Sequence, residues 1–224
     1  MGKPIDTFIM GTCRVNNLKD RINGETCPYG TVHSVNQIQQ TLKIMNGELI
    51  PPDDMLECMY RTAKVRRFMP FNIDVFDKVV LEVSSIKNYY YKDYFLHFYY
   101  YNKTYKDPNI STKAVVIKDT YPQVLAGLKK IRGMFGDRKI LLIPHNNAPC
   151  IPNRYILSHA LNTYSREDEN CKFFDPTHLI AKYGWERCVF PKSKKDYIEA
   201  NHFTDFMGRR VAQEIKKIFL KWNG

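Results

Sequence analysis

The sequence contains no Cys-x-x-Cys pair. Its six cysteines, Cys13, Cys27, Cys58, Cys150, Cys171 and Cys188, stand at wide and irregular intervals. That spacing excludes a disulfide-stapled miniature fold and the common zinc ribbons, and free thiols in a reducing compartment are expected. No apolar run approaches the roughly 18 residues that a membrane-spanning helix needs. The opening MGKPIDTFIMG has neither a long apolar stretch nor a small-residue cleavage site, so no secretory signal is read there. Gly2 suggests myristoylation, but Asp6 stands where that motif wants Ser or Thr. A soluble, cytoplasmic chain without a membrane partner is the expectation. Neither G-x-x-x-x-G-K-[ST] nor G-x-G-x-x-G occurs, which removes the usual nucleotide fingerprints. His33, His97, His145, His159 and His178 show no H-x-x-x-H or mixed Cys/His ligand spacing, so no metal and no cofactor is expected.

What is present is ample material for a core. The 224 residues are 44% hydrophobic, 13% aromatic and 25% charged, the reverse of a disordered composition. This length suits one large α/β domain spanning residues 1–224. Lys and Arg total 34 against 23 Asp and Glu, a formal charge of +11. A surplus of that size raises nucleic acid as a partner. The basic residues are scattered, however: Arg61, Lys64, Arg66 and Arg67; Lys192, Lys194 and Lys195; Arg209, Arg210, Lys216, Lys217 and Lys221. No RRM, helix-turn-helix or zinc-finger signature accompanies them. Nucleic acid stays open without being favoured; a solvated basic surface is the plain reading and an anionic substrate the sharper one.

Residues 5–10 (IDTFIM) form a short apolar run stopped by Gly11, the pattern of a buried strand entering a turn. Val35, Ile38, Leu42 and Met45 fall at helical spacing over residues 34–45, and a second helix is expected from Asp53 or Asp54 to about Lys64. Strands are read at 76–84 (FDKVVLEVS), 139–144 (KILLIP) and 171–174, and helices at 124–135, 154–164 and 205–222. Apolar strands alternating with helices imply a mainly parallel sheet covered on both faces. Ligands bind such sheets beyond the strands' carboxyl ends, which directs attention to the loops at Gly11, Ser84 and His145 and to the approach to the last helix. Eight of the fifteen tyrosines lie in the segment 87–105. Their rings either cover a site and stack on a sugar or acyl group, or pack on the sheet with hydroxyls outward.

Three loops carry unusual chemistry. Gly11-Thr12-Cys13-Arg14 is a tight strand-to-helix turn, and a thiol at a helix N-terminus has its pKa lowered. Ser84-Ser85 follows the strand DKVVLEV. Glu199-Ala200-Asn201-His202-Phe203-Thr204 precedes the closing helix, with a carboxylate three residues ahead of an imidazole that it can orient as a base. On their own, a cysteine beside a strand is more often a small core residue, and Thr204 a helix cap.

Together these segments resemble the SGNH/GDSL hydrolase superfamily. Gly11-Thr12-Cys13 stands where that superfamily has Gly-Asp-Ser after its first strand. Glu199-Ala200-Asn201-His202 resembles its last block, Asp-x-x-His, and the opening is similar to the Gly-Ser-Cys start of the GSCFA-type relatives. The resemblance implies a three-layer α/β/α fold of flavodoxin-like type, with Cys13 as nucleophile, His202 as base and Glu199 as the acid orienting it. It implies an oxyanion hole built from the nucleophile's own amide, a Gly after the second strand (Gly30) and an Asn after the third. The Asn has no clean counterpart; Ser84, Ser85 and Asn88 are the candidates. Thr12, Arg14 and His145 complete the expected substrate-binding set. Cys replaces Ser, Thr12 replaces Asp, and Glu199 replaces Asp, so Thr12 stays open as the reactive hydroxyl. The activity implied is that of an esterase or O-acyltransferase acting on an ester-linked acyl group, with a carbohydrate as its carrier. The alternative is a non-catalytic basic protein that binds a glycan or nucleic acid on a degenerate hydrolase fold.

Overall fold

The computed structural model describes residues 6–60, 71–98, 108–147, 152–190 and 202–222. Five parallel strands form the central sheet: β1 (Thr7–Met10), β2 (Gly24–Thr26), β3 (Lys78–Val83), β7 (Lys139–Pro144) and β8 (Cys171–Phe173). Their order is β2-β1-β3-β7-β8, the doubly wound arrangement whose ligand crevice opens between the first and third strands, where the winding reverses. The pairings Met10↔Leu81 and Val83↔Pro144 align the carboxyl ends of β1, β3 and β7.

Strand alternation divides the core into two layers. Phe8, Met10, Val79, Leu81, Val83, Ile140 and Leu142 face one side, where they meet α3 (Val35–Met45), α4 (Asp53–Tyr60), α6 (Tyr121–Phe135) and α7 (Pro152–Glu167). Ile9, Val80, Leu141 and Ile143 face the other, against the short α1 (Cys13–Asn16) and α2 (Lys19–Ile22), α8 (Thr177–Tyr183) and the long α10 (Asp205–Trp222). The fold is thus three-layer α/β/α. Helix starts follow the chemistry of capping: Ser34 Oγ accepts from Gln37 N–H. Thr120 N–H is taken by Gln123 Oε1 at 2.8 Å, and this cap sets α6 three residues earlier than its apolar periodicity indicates.

A second, antiparallel sheet has the order β5-β4-β6, from β4 (Lys87–Tyr91), β5 (Tyr94–Leu96) and β6 (Val115–Lys118). Lys92 and Asp93, both at positive φ (47° and 69°), make the two-residue turn whose twist suits a hairpin. Tyr89, Tyr91 and Tyr94 pack against the larger core layer. In its described part, then, the tyrosine-rich segment is hairpin and core; Tyr99, Tyr100, Tyr101 and Tyr105 lie outside the described residues. Among the described residues the remaining elements are α5 (Pro108–Lys113), α9 (Trp185–Cys188) and a 3-10 turn at Ile73–Val75. Among the described residues no helix is long and apolar enough to cross a membrane.

Candidate active site

β1 delivers its last residues into the crevice between β1 and β3. Thr12 is the N-cap of α1 and Cys13 its first residue. Across the fold, the residues leaving α9 and those entering α10 meet one another at the same place. Val189 forms an antiparallel bridge with Phe203, Phe190 N–H donates to His202 O (3.1 Å) and Thr204 N–H to Cys188 O (3.0 Å). Thr204 Oγ1 donates to Arg187 O (2.6 Å) and accepts from Met207 N–H, which caps α10. This pinned segment carries His202 to the thiol: Cys13 Sγ lies 3.2 Å from His202 Nε2. Two residues 189 positions apart in the chain are therefore in hydrogen-bond contact. Glu199, the acid implied for the base, lies outside the described residues.

Below the thiol sits a buried polar network that the sequence reading did not find. Glu82, next to last in β3, is 1% exposed. Its Oε2 accepts from Thr12 N–H (2.8 Å) and Thr12 Oγ1–H (2.5 Å), and its Oε1 pairs with Arg14 Nη2. Thr12 is consequently buried with its hydroxyl spent on Glu82, and Cys13 is the group that meets the His202 ring. Arg14 is 3% exposed, which corrects its expected role as a substrate-facing cation. Its Nη1 approaches both His145 ring nitrogens at 2.6 Å, and His145 Nδ1 stands 3.1 Å from Asn146 O. The tautomer that satisfies both has Nδ1–H donating to Asn146 O and Nε2 accepting from Arg14. His145 is therefore interior rather than lining an open cleft. Gly11 is required here: a Cβ on it would lie 2.5 Å from Glu82 Cβ and 2.8 Å from Val15 Cγ2.

Loop residues 31–33 cross the ends of both strands. Val32 N–H donates to Gly11 O, and the Ser84 and Ser85 amides donate to His33 O (2.8 and 2.9 Å). Ser84 Oγ lies 3.0 Å from His33 Nδ1, His33 Nε2 3.1 Å from His97 Nε2, and Thr31 Oγ1 3.2 Å from the same His97 atom. Facing Nε2 atoms share one proton, so at least one ring is neutral. Burial drives His33 down to about 3 from 6.5, with the Arg14 charge adding to the effect.

Three further expectations are corrected. Gly30, at φ 108°, has its N–H donated to Cys27 O (3.2 Å), so that amide is not available to an oxyanion. Ser85 Oγ serves the start of β4, accepting from Lys87 N–H at 2.9 Å. Asn88 is buried and holds Asp119 Oδ2 (2.9 Å) while accepting from Ser34 Oγ. The Cys13 thiol is also raised rather than lowered from its ordinary 9.0. Burial is the largest cause and Glu82 adds to it, whereas Arg14 and the Cys13 and Arg14 amides act in the opposite direction. A four-residue helix has too small a dipole to outweigh burial.

Fold and site together define a doubly wound α/β protein with a thiol–imidazole pair at its switch point. The chain belongs to the TviD N-terminal domain family, whose model matches residues 5–116, half of the chain. The matched stretch carries Thr12, Cys13, Arg14, His33, Glu82 and Ser84; His145 and His202 lie beyond it. No curated protein matches the chain.

Proposed function

We propose that the protein is an SGNH-like hydrolase or acyltransferase that acts on an ester-linked acyl group, carried on a carbohydrate, through Cys13 and His202. The single observation carrying this reading is the 3.2 Å approach of Cys13 Sγ to His202 Nε2. The raised thiol is protonated at neutral pH, so His202 acts as a general base during attack rather than as half of a standing ion pair. Nε2 takes the S–H proton as sulfur adds to the acyl carbonyl. The tetrahedral oxyanion is met by the Cys13 amide. Collapse breaks the C–O bond, and the departing alcohol takes the proton back from Nε2. Water, or the hydroxyl of a second sugar, then gives its proton to His202 and adds to the thioester, releasing the acid or new ester and restoring the thiol. Glu199 is the residue proposed to hold the His202 ring.

The test is hydrolysis of short p-nitrophenyl esters and thioesters by the wild-type protein, Cys13→Ala and His202→Ala. Each substitution is expected to lower kcat/KM by about 10²-fold or more. Wild-type rates in both variants overturn the reading. So does an inactive wild type that binds an anionic glycan or nucleic acid with steep salt dependence, indifferent to Cys13; that outcome assigns the non-catalytic alternative.

A further inference from the structure

We infer that the buried Arg14–Glu82 ion pair is the positioning device of this site: Glu82 sets the nucleophile turn, and Arg14 ties that turn to the segment bearing the base. The inference rests on the reading of Cys13 and His202 as the reactive pair.

The position of Glu82 is the first argument. Lys-Val-Val-Leu-Glu-Val is the central strand of a parallel sheet with helices on both faces, and Val79, Val80, Leu81 and Val83 are wholly buried. An apolar residue at 82 would serve the core at least as well, because a buried ion pair seldom outperforms a well-packed hydrophobe. A carboxylate taken out of water costs several kcal/mol unless fully paired. Here the pairing is complete and specific. Both oxygens are used, on three donors that all belong to Thr12 and Arg14, the residues flanking the nucleophile.

The reach of Arg14 is the second argument. One Nη holds Glu82 at the end of β3, and the other meets the His145 ring beyond β7. Its Cζ stands 5.9 Å from the centre of the Phe203 ring, and Phe203 is the residue after the base, bridged to Val189. One side chain thus links α1 to the end of β3, the loop after β7 and the segment before α10. Its Nε has no partner among the described residues, so the side chain is held by the charge pair and ring contacts rather than by saturation of every donor. A change at residue 14 or 82 reaches both the sulfur and the imidazole without touching substrate.

The two charges also oppose one another at the thiol, Arg14 favouring the thiolate and Glu82 disfavouring it. This supplies a readout that a purely structural role does not move. The experiment follows alkylation of Cys13 by iodoacetamide against pH, scored by mass spectrometry of the Cys13 peptide, alongside ester hydrolysis. The proteins are the full-length wild type, Glu82→Gln, Arg14→Gln and Arg14→Lys. Glu82→Gln, which keeps the shape, is expected to move the alkylation midpoint down, raising the thiolate fraction at fixed pH. It also lowers kcat about tenfold or more with KM little changed, since a Gln amide has one accepting oxygen and cannot hold Thr12 and Arg14 together, which loosens the turn without altering a substrate contact. Arg14→Gln moves the midpoint up, and Arg14→Lys restores the midpoint but not kcat, because a point charge cannot hold Glu82 and His145 together. Midpoints and kcat at wild-type values in folded Glu82→Gln overturn the inference. Should Arg14→Gln fail to fold with its carboxylate unpaired, Glu82→Gln and the Arg14→Gln/Glu82→Gln double variant carry the same test. Alkylation needs no substrate, so the outcome that assigns the non-catalytic alternative overturns the proposed function while leaving these midpoints readable.

Discussion

At the scale of single residues, the Cys13–His202 contact was legible and the network beneath it was not. Cys13 could be read because a strand, a glycine and a turn preceded it, and His202 because it stood in a recognisable block before an amphipathic helix. Glu82 escaped because one glutamate in VVLEV reads as a solvent-facing strand position. The available signal was its incompatibility with a strand otherwise apolar on both faces. Arg14 was assigned to substrate for the converse reason, since sequence gives a cation's place but not whether a carboxylate waits behind it. Gly11 marks how closely β3 approaches the turn. Gly11→Ala is expected to cost about 1–3 kcal/mol through overpacking against Glu82 and Val15. It should also speed Cys13 alkylation, because a Glu82 carboxylate pushed aside disfavours the thiolate less. Urea unfolding and the alkylation rate check the two halves separately.

At the scale of elements, β1, β3, β7, β8, α3 and α10 follow directly from apolar period and caps. The misses share one cause: contacts distant in sequence decided them. β2 lies in a turn-rich stretch and becomes a strand only by pairing with β1 through Thr7↔Gly24 to Ile9↔Thr26. The tyrosine segment shows no period-2 signal because both faces of its hairpin carry aromatics. The element that matters most to the base is the start of α10, where Thr204 bonds Arg187 O and caps Met207. Thr204→Ala is expected to destabilise the protein by about 1 kcal/mol. It should reduce kcat more than it reduces Cys13 alkylation, since it frees His202 and leaves the nucleophile turn in place. Thr204→Ser, which keeps the cap, should recover both; parallel kinetics and melting of the two variants make the comparison.

At the scale of the whole molecule, the doubly wound sheet was legible from strands alternating with helices, and it located the loops at which the site was then found. The small antiparallel sheet was not, because nothing local says that β6 returns to β4. Global stability carries the mark of His33. Its folded pKa, about 3, lies below the ordinary 6.5, so the unfolded chain takes up the proton first. The neutral ring's contribution is complete above pH 6.5 and is lost as pH falls from there toward 3. For one proton the slope reaches at most about 1.4 kcal/mol per pH unit. Urea midpoints measured from pH 7.5 to 4 should fall more steeply for wild type than for His33→Gln, and the difference between the two curves isolates the imidazole from the carboxylates.

Cys13 and His202 stand 189 residues apart in the chain, and this sets when they can meet. During synthesis Cys13 emerges 189 residues ahead of His202. The sheet can collapse around β1, β3 and β7 while the sulfur still lacks its partner. Closing so long a loop is among the slower steps of folding. The Cys13–His202 contact therefore waits for α10 to dock, and any chemistry that needs both groups waits with it.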